Sequence, residues 1–157
     1  MVSKYELFSS CVSTMYHDIQ KIERTEMAKF GLKGPHAQCL LAMSRHPEGI
    51  TAARLCEICE KDKAAISRIL SELEASGMVL RESRNGTRYR ASLTLSPQGK
   101  AAAAAVSEKA RLAVELAGDG LDDKQREVFY RVLALIAGNL HVLCKEGLSK
   151  ITDERTL

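Results

Sequence analysis

Residues 51–77 read TAARLCEICEKDKAAISRILSELEASG, and this stretch decides the fold. The Thr51 hydroxyl is placed to cap a short helix over Ala52 to Cys59, whose apolar face is Leu55, Ile58 and Cys59. Glu60-Lys61 supplies a turn, and Asp62 is a good N-cap for a second helix from Lys63 to Ser76. Ile66, Ile69, Leu70 and Leu73 make the inward stripe of that helix, at the i, i+3, i+4, i+7 spacing of a half-buried helix. Gly77 stands where a left-handed residue ends it. The outward face carries Lys63, Ala64, Ser67, Arg68 and Ser71, all small, polar or basic. A helix with that face fits a major groove. Ser67 and Arg68 can meet base edges, Lys63 can meet phosphate, and Ala64 leaves room for close approach.

Downstream the period changes from helix to strand. Met78 to Glu82 reads as a strand, and Arg88 to Leu95 as a second one, with Ala91, Leu93 and Leu95 alternating against Ser92 and Thr94. Asn85-Gly86 between them is a strong short hairpin signal. The window from Arg81 to Arg90 holds four arginines against one acid, Glu82, which accounts for the chain's whole net charge of +3. Such a cluster is an electrostatic footprint for an anionic partner. It puts Arg84, Arg88 and Arg90 on a basic wing that can reach the DNA backbone or the minor groove. Two short helices and a basic hairpin make a winged helix-turn-helix.

The flanks are helical. Tyr5, Phe8, Val12, Met15, Ile19 and Ile22 step by 3 and 4, a heptad seam that faces another helix, and Gly31 ends this segment. Its position at the very N-terminus favours a partner chain, so a homodimer is expected. After the Lys33-Gly34-Pro35 break, a helix from His36 to Arg45 carries Cys39, Leu40 and Met43 on one side. Ser96-Pro97 opens an Ala-rich helix to Ala117, with Val106, Leu112 and Leu116 as its apolar face. Asp122 with Gln125 has capping-box spacing before a last long helix, in which Val128, Val132, Leu135, Ile136, Leu140 and Leu143 are expected to be buried. Residues 148–157 read as a frayed tail.

These elements resemble the MarR family of bacterial winged helix-turn-helix transcription regulators. The resemblance is carried by Gly49-Ile50-Thr51, Leu55, Lys63, Ile66-Ser67-Arg68, Leu73, Gly77, Arg81 and the strand end Leu95-Ser96-Pro97-Gln98-Gly99. It implies a mainly α fold with a small β-hairpin wing and N- and C-terminal dimerisation helices. The expected organisation is a single domain over 1–157. Residues 1–31 and 97–147 are its dimerisation helices and 34–96 its winged lobe. The function implied is that of a homodimeric repressor on a palindromic double-stranded DNA operator, released by a small-molecule effector. The effector pocket that the resemblance implies would be lined by Tyr16, His36, Cys39 and Met43. One feature departs from the family pattern. The wing reads Asn85-Gly86-Thr87-Arg88-Tyr89-Arg90, without the Asp that usually braces the wing arginine.

Other classes are less well supported. The 157 residues suit about one domain, and 45% hydrophobic with 27% charged residues excludes global disorder. No continuous apolar run approaches a membrane span, and Met1 to Glu6 lacks the pattern of a secretory signal, so no membrane partner and a cytoplasmic location are expected. No catalytic triad order, phosphate loop or paired-carboxylate motif stands out, so no enzyme and no cofactor are expected. Cys56-x-x-Cys59 is half of a zinc knuckle, but no second pair or close histidine pair completes it, so no metal is expected. On a helix both thiols read as small core residues. Two alternatives stay open: a redox- or metal-responsive regulator acting through its cysteines, and a winged-helix protein-interaction adaptor without DNA binding, which the missing wing Asp would suit.

Overall fold

The computed structural model describes residues 3–82 and 91–147. The expected Asn85-Gly86 turn, Arg84, Arg88 and Arg90 of the wing, and the tail from 148 lie outside the described residues. Six helices and two strands follow in the order α1 (Lys4–Ala28), α2 (Gly34–Ser44), α3 (Ala52–Cys59), α4 (Lys63–Ala75), β1 (Val79–Glu82), β2 (Ser92–Leu95), α5 (Pro97–Ala117) and α6 (Asp123–Glu146). The chain forms two compact units, Met1–Ala113 and Val114–Leu157.

The boundaries in the first unit follow the side chains that fix them. Ser3 and Glu6 form a capping box at the start of α1. The Thr51 hydroxyl accepts from the Arg54 N–H at 3.2 Å, and the Asp62 carboxylate accepts from the Ala65 N–H at 2.8 Å, so both expected caps of the helix pair are made. Between them Glu60 ends α3 in the left-handed region at φ 51°, without being glycine. Gly77 takes φ 73° after α4, as its position in the sequence required.

In α2, α3 and α4 the core follows the stripes that the sequence marked, whereas of the expected α5 face Val106 is buried and Leu112 and Leu116 are exposed. Leu55, Ile66, Leu70 and Leu73 pack with Met27, Leu40, Met43, Met78, Leu93 and Val106. The strands pair antiparallel, Val79 with Leu95 and Glu82 with Ser92. Ala91, Leu93 and Leu95 are buried while Ser92 and Thr94 are half-exposed, which is the expected alternation. Ile50, just before α3, exchanges both backbone hydrogen bonds with Leu93 at 3.0 and 2.9 Å. The wing stem and the entrance to the helix pair are thereby one hydrogen-bonded piece.

One joint holds the lobe's ends together. The Ser96 hydroxyl donates to the Gly77 carbonyl at 2.6 Å and accepts from the Gly99 N–H at 3.0 Å, while the Ser96 N–H donates to the Met78 carbonyl at 3.0 Å. Gly99 lies so close to that carbonyl that a Cβ there would sit 2.0 Å from the Met78 oxygen.

In the second unit the turn after α5 is closed by Arg126, whose guanidinium donates to the carbonyls of Gly118, Leu121 and Glu115. Asp122 and Gln125 form the expected capping box. The expected burial of α6 is corrected here. Val128, Val132, Leu135, Ile136 and Leu140 are exposed and Leu143 is half-buried, and no residue of α6 is buried in the single chain. The heptad of α1 shares this exposure, from Tyr5 to Ile19. The stripes have the right periodicity, but one copy of the chain does not cover them. By length and composition alone α6 would also cross a membrane, with mean hydropathy 1.4 over 18 residues. No unbroken apolar run marks this helix in the sequence, where Glu127, Arg131, Asn139 and His141 interrupt it.

Gly99→Ala is therefore expected to destabilise the chain by about 1–3 kcal/mol, because backbone rather than a flexible side chain must give way. A urea denaturation curve with an unchanged slope and a lower midpoint would show it. An unchanged midpoint would refute the tight approach.

Candidate nucleic-acid interface

Helix α4 presents the outward face expected of it. Lys63, Ala64, Ser67, Arg68 and Ser71 are all exposed, and Ile66, Ile69, Leu70 and Leu73 are buried beneath them. The helix is fixed at both ends. Asp62 caps its start, and at its far end Glu74 holds Arg81 of β1 through Nε at 2.6 Å and Nη2 at 3.1 Å. This forked pair raises the Arg81 pKa, through the hydrogen bonds the guanidinium donates to the carboxylate and the carboxylate's negative charge. Arg81 is therefore spent on joining α4 to the wing stem. The sequence counted it with the basic cluster, and a carboxylate seven residues upstream takes it out of that count. The other three arginines of the expected cluster, Arg84, Arg88 and Arg90, lie outside the described residues.

A second tie runs from α4 to the start of α2. Glu72 accepts from Lys33 Nζ at 3.0 Å and lies 2.7 Å from His36 Nε2. His36 Nδ1 accepts the Lys33 backbone N–H at 3.0 Å, so the proton of the neutral ring is on Nε2 and is donated to Glu72. These two donors hold the Glu72 carboxyl below its ordinary value.

Of the four residues named for an effector pocket, Tyr16 lines the cavity described next. His36, Cys39 and Met43 are buried core, and His36 has its hydrogen bonds satisfied by Lys33 and Glu72. A cavity of about 490 Å³ is walled by Tyr16, Gln20, Glu23 and Arg24 of α1, by Gly34, Pro35 and Gln38 of α2, and by Ile58 to Lys61 at the end of α3. His36, Cys39 and Met43 form the inner stripe of α2, at i, i+3, i+7. The cavity opens on the next face round, through Gly34, Pro35 and Gln38. The Gly34-Pro35 break was the available signal, since a helix start packed against a long helix leaves a gap beside it.

The two cysteines of the Cys-x-x-Cys segment face different spaces. Cys59 lines this cavity, and Cys56 lines a cleft of about 370 Å³ beside Lys63, Ser67 and Ser71. Among the described residues no group of three or more His, Cys, Asp or Glu is placed to hold a metal ion. The Cys59 Sγ lies 3.9 Å from the Sγ of Cys39 on α2, a pairing across helices that spacing along the chain cannot reveal.

Residues 30–88 match the family described as MarR family. The matched segment is a little over a third of the chain. It spans α2, the helix pair α3 and α4, and β1. No curated protein matches the chain. Solved MarR-family structures match over most of it. A regulator from Silicibacter pomeroyi aligns at TM-score 0.73 and 20% identity, over 88% of this chain and 92% of its own. One from Listeria monocytogenes, solved in complex with a 26mer DNA, aligns at TM-score 0.76 and 16% identity, over 88% and 93%. One from Methanosarcina mazei Go1 aligns at TM-score 0.74 and 20% identity, over 87% and 99%. At these identities the likeness shows the fold. It is the MarR-family winged helix-turn-helix, mainly α with a two-stranded hairpin, as the sequence resemblance implied.

Glu23 gives this region a pH signature. It is 4% exposed, and burial raises its carboxyl above the ordinary 4.5, against the lowering hydrogen bond from the Gln38 amide. Stability linked to the neutral acid is complete below the unfolded value and is lost as pH rises through the higher folded value. Glu23→Gln removes the charge and keeps an amide for Gln38. Relative to wild type it should gain stability as pH rises from about 4 to about 7, by comparison of melting temperatures. A constant difference across that range would refute the buried-acid account.

Proposed function

We propose that the chain is a homodimeric DNA-binding transcription regulator, a repressor released from a palindromic operator by a small-molecule effector. The observation that carries the DNA-binding reading is the exposed face of α4, rigidly capped and free of bulky apolar side chains. Arg68 can present its fork to guanine, Ser67 and Ala64 allow close approach, and Lys63 and Ser71 lie toward phosphate. Arg84, Arg88 and Arg90 are assigned to the backbone or minor groove. The DNA complex of the Listeria relative supports the same use of this fold.

The dimer is supported by two exposed apolar stripes, the α1 heptad and α6. In this reading 1–31 and 97–147 are the dimerisation helices and 34–96 the DNA-binding lobe. A second copy explains the face of α6 better than lipid does, because Glu127, Arg131, Asn139 and His141 would be costly in hydrocarbon. The effector reading is supported by the cavity between α1, α2 and the end of α3. Its occupant would favour one spacing of the two recognition helices and shift that population.

Arg68→Ala should cost about 1–3 kcal/mol per half-site on the cognate operator and flatten preference at one base pair. Arg88→Ala or Arg90→Ala should weaken cognate and random duplex alike and lower the salt slope by about one per lost phosphate contact. Fluorescence anisotropy at several salt concentrations reads both. Equal weakening of both duplexes by Arg68→Ala, with sequence preference erased by a wing variant alone, would reverse the assignments. No effect from any of the three would end the DNA-binding reading and favour an adaptor.

Light scattering should give a dimer for the full chain at micromolar concentration, and Leu135→Glu should shift it to monomer or aggregate. A well-folded wild-type monomer would refute the dimer.

A further inference from the structure

Glu23 stands in the wall of the 490 Å³ cavity and is itself buried. One of its carboxylate oxygens, Oε1, accepts from the Gln38 amide across the gap between α1 and α2. The other, Oε2, accepts from no described residue. It is not a sealed atom either, because among the described residues no buried polar side-chain atom lacks a partner. Oε2 is therefore open to the space beside it, which is the cavity. The two cations of the same wall do not serve it. Arg24 is exposed, and Lys61 bears on the Cys59 thiol. Neither contributes to the acidity of Glu23, which is set by burial and by the Gln38 amide.

A buried carboxylate with one free oxygen and no cation of its own is completed by a ligand that brings a positive charge and N–H donors together. A bare metal ion would find too few ligands, since no group of three or more His, Cys, Asp or Glu gathers there among the described residues. An anion would meet the Glu23 carboxylate and could enter only with that acid protonated. The rest of the wall suits a flat apolar body. Pro35 and Ile58 are apolar, and the Gln20 amide donates to the Tyr16 hydroxyl at 2.8 Å, which leaves Tyr16 offering its ring. Tyr16 and Glu23 are seven residues apart on α1, about 10 Å along its axis and on one face. We infer that the cavity takes a small aromatic cation, whose amidinium or ammonium head donates to Glu23 Oε2 while its ring lies along Pro35 and Ile58 toward Tyr16.

The wall from Ile58 to Lys61 runs directly into Asp62, whose carboxylate caps α4. A ligand held by Glu23 fills the space between α1 and that segment and so bears on the start of α4. This consequence gives the proposed effector its chemical class and rests on the effector and DNA-binding readings above, whereas binding of the cation does not. Binding is also linked to the charge on Glu23. The ionised form is the one that pairs with the ligand and the one that burial disfavours, so binding tightens as pH rises through the raised Glu23 value. Of the other charged groups on the wall, Arg24 and Lys61 stay positive and Glu60 negative across that range.

The test uses the full-length chain and three probes of one shape: benzamidine, which is cationic, benzamide, which is neutral, and benzoate, which is anionic. Titration calorimetry at neutral pH should show benzamidine binding at least about tenfold more tightly than either of the others, with affinity falling as the pH is lowered toward 4. Glu23→Gln should remove that preference and the pH dependence, while Lys61→Ala, at the same wall, should leave benzamidine binding unchanged and so keeps the test valid if one variant folds poorly. Equal binding of the three probes, no benzamidine binding at millimolar concentration, or full binding by a folded Glu23→Gln would overturn the site. Tighter binding of benzoate, lost in Lys61→Ala, would replace it with an anion site. Anisotropy on an operator duplex should show benzamidine lowering affinity about tenfold for wild type and not for Glu23→Gln, which separates occupancy of the cavity from benzamidine acting as salt. Binding of benzamidine with unchanged duplex affinity would overturn the link to α4 and leave the cation site standing. Protein that binds no duplex at all would instead refute the DNA-binding reading, and the calorimetry would still decide the site.

Discussion

The hydroxyl of Ser96 and the missing side chain of Gly99 together set the position of α4. Ser96 bonds to the carbonyl that ends α4 and to the N–H that begins α5, and its own N–H holds the Met78 carbonyl at the start of the hairpin. Four elements meet at this joint: α4, β1, β2 and α5. Without the close approach that glycine permits, α5 could not seat Ala102, Ala103 and Val106 on the core, and the strands would lose their fixed register against α4. The family motif that ends a strand in leucine and places a glycine a few residues on is explained here by contact geometry.

Charge is arranged by the same logic of joints. Glu74 takes Arg81, and Glu72 takes Lys33 and His36. Each pair ties α4 to a different neighbour, so its acidic residues look toward the protein while Arg68 looks away. A sequence-level count of basic residues overstates the footprint, because it cannot tell a cation committed to a neighbouring helix from one left for a partner. The buried Glu23 is the converse case, an acid whose environment disfavours its charge.

The helix pair was legible because its caps and stripes are local signals: Thr51, Asp62 and Gly77 act within three or four residues of where they stand. The strands were legible because alternation is also local. What the sequence could not show is which stripe of α2 faces a cavity, since that depends on how α1 crosses it. It could not show that Cys59 meets Cys39, twenty residues earlier on another helix. It also misjudged α6, where the periodicity was right but the covering surface is absent from a single chain. The exposed polar face of α4 lies on one helix and could be read from its sequence, whereas the cavity is built from three.

The bridge between Ile50 and Leu93 bears on how the lobe would meet any partner. The two hydrogen bonds make the wing stem and the helix pair a single body before binding. Docking on α4 then orders a few rotamers, such as those of Arg68, and leaves the backbone of the helix pair as it was. The entropic cost of association falls mainly on side chains, at about 0.5–1.5 kcal/mol each for the flexible ones. A mispaired sequence would thus meet a surface that cannot bend to accommodate it, and discrimination would come from the stiffness of the scaffold as much as from the groups it carries.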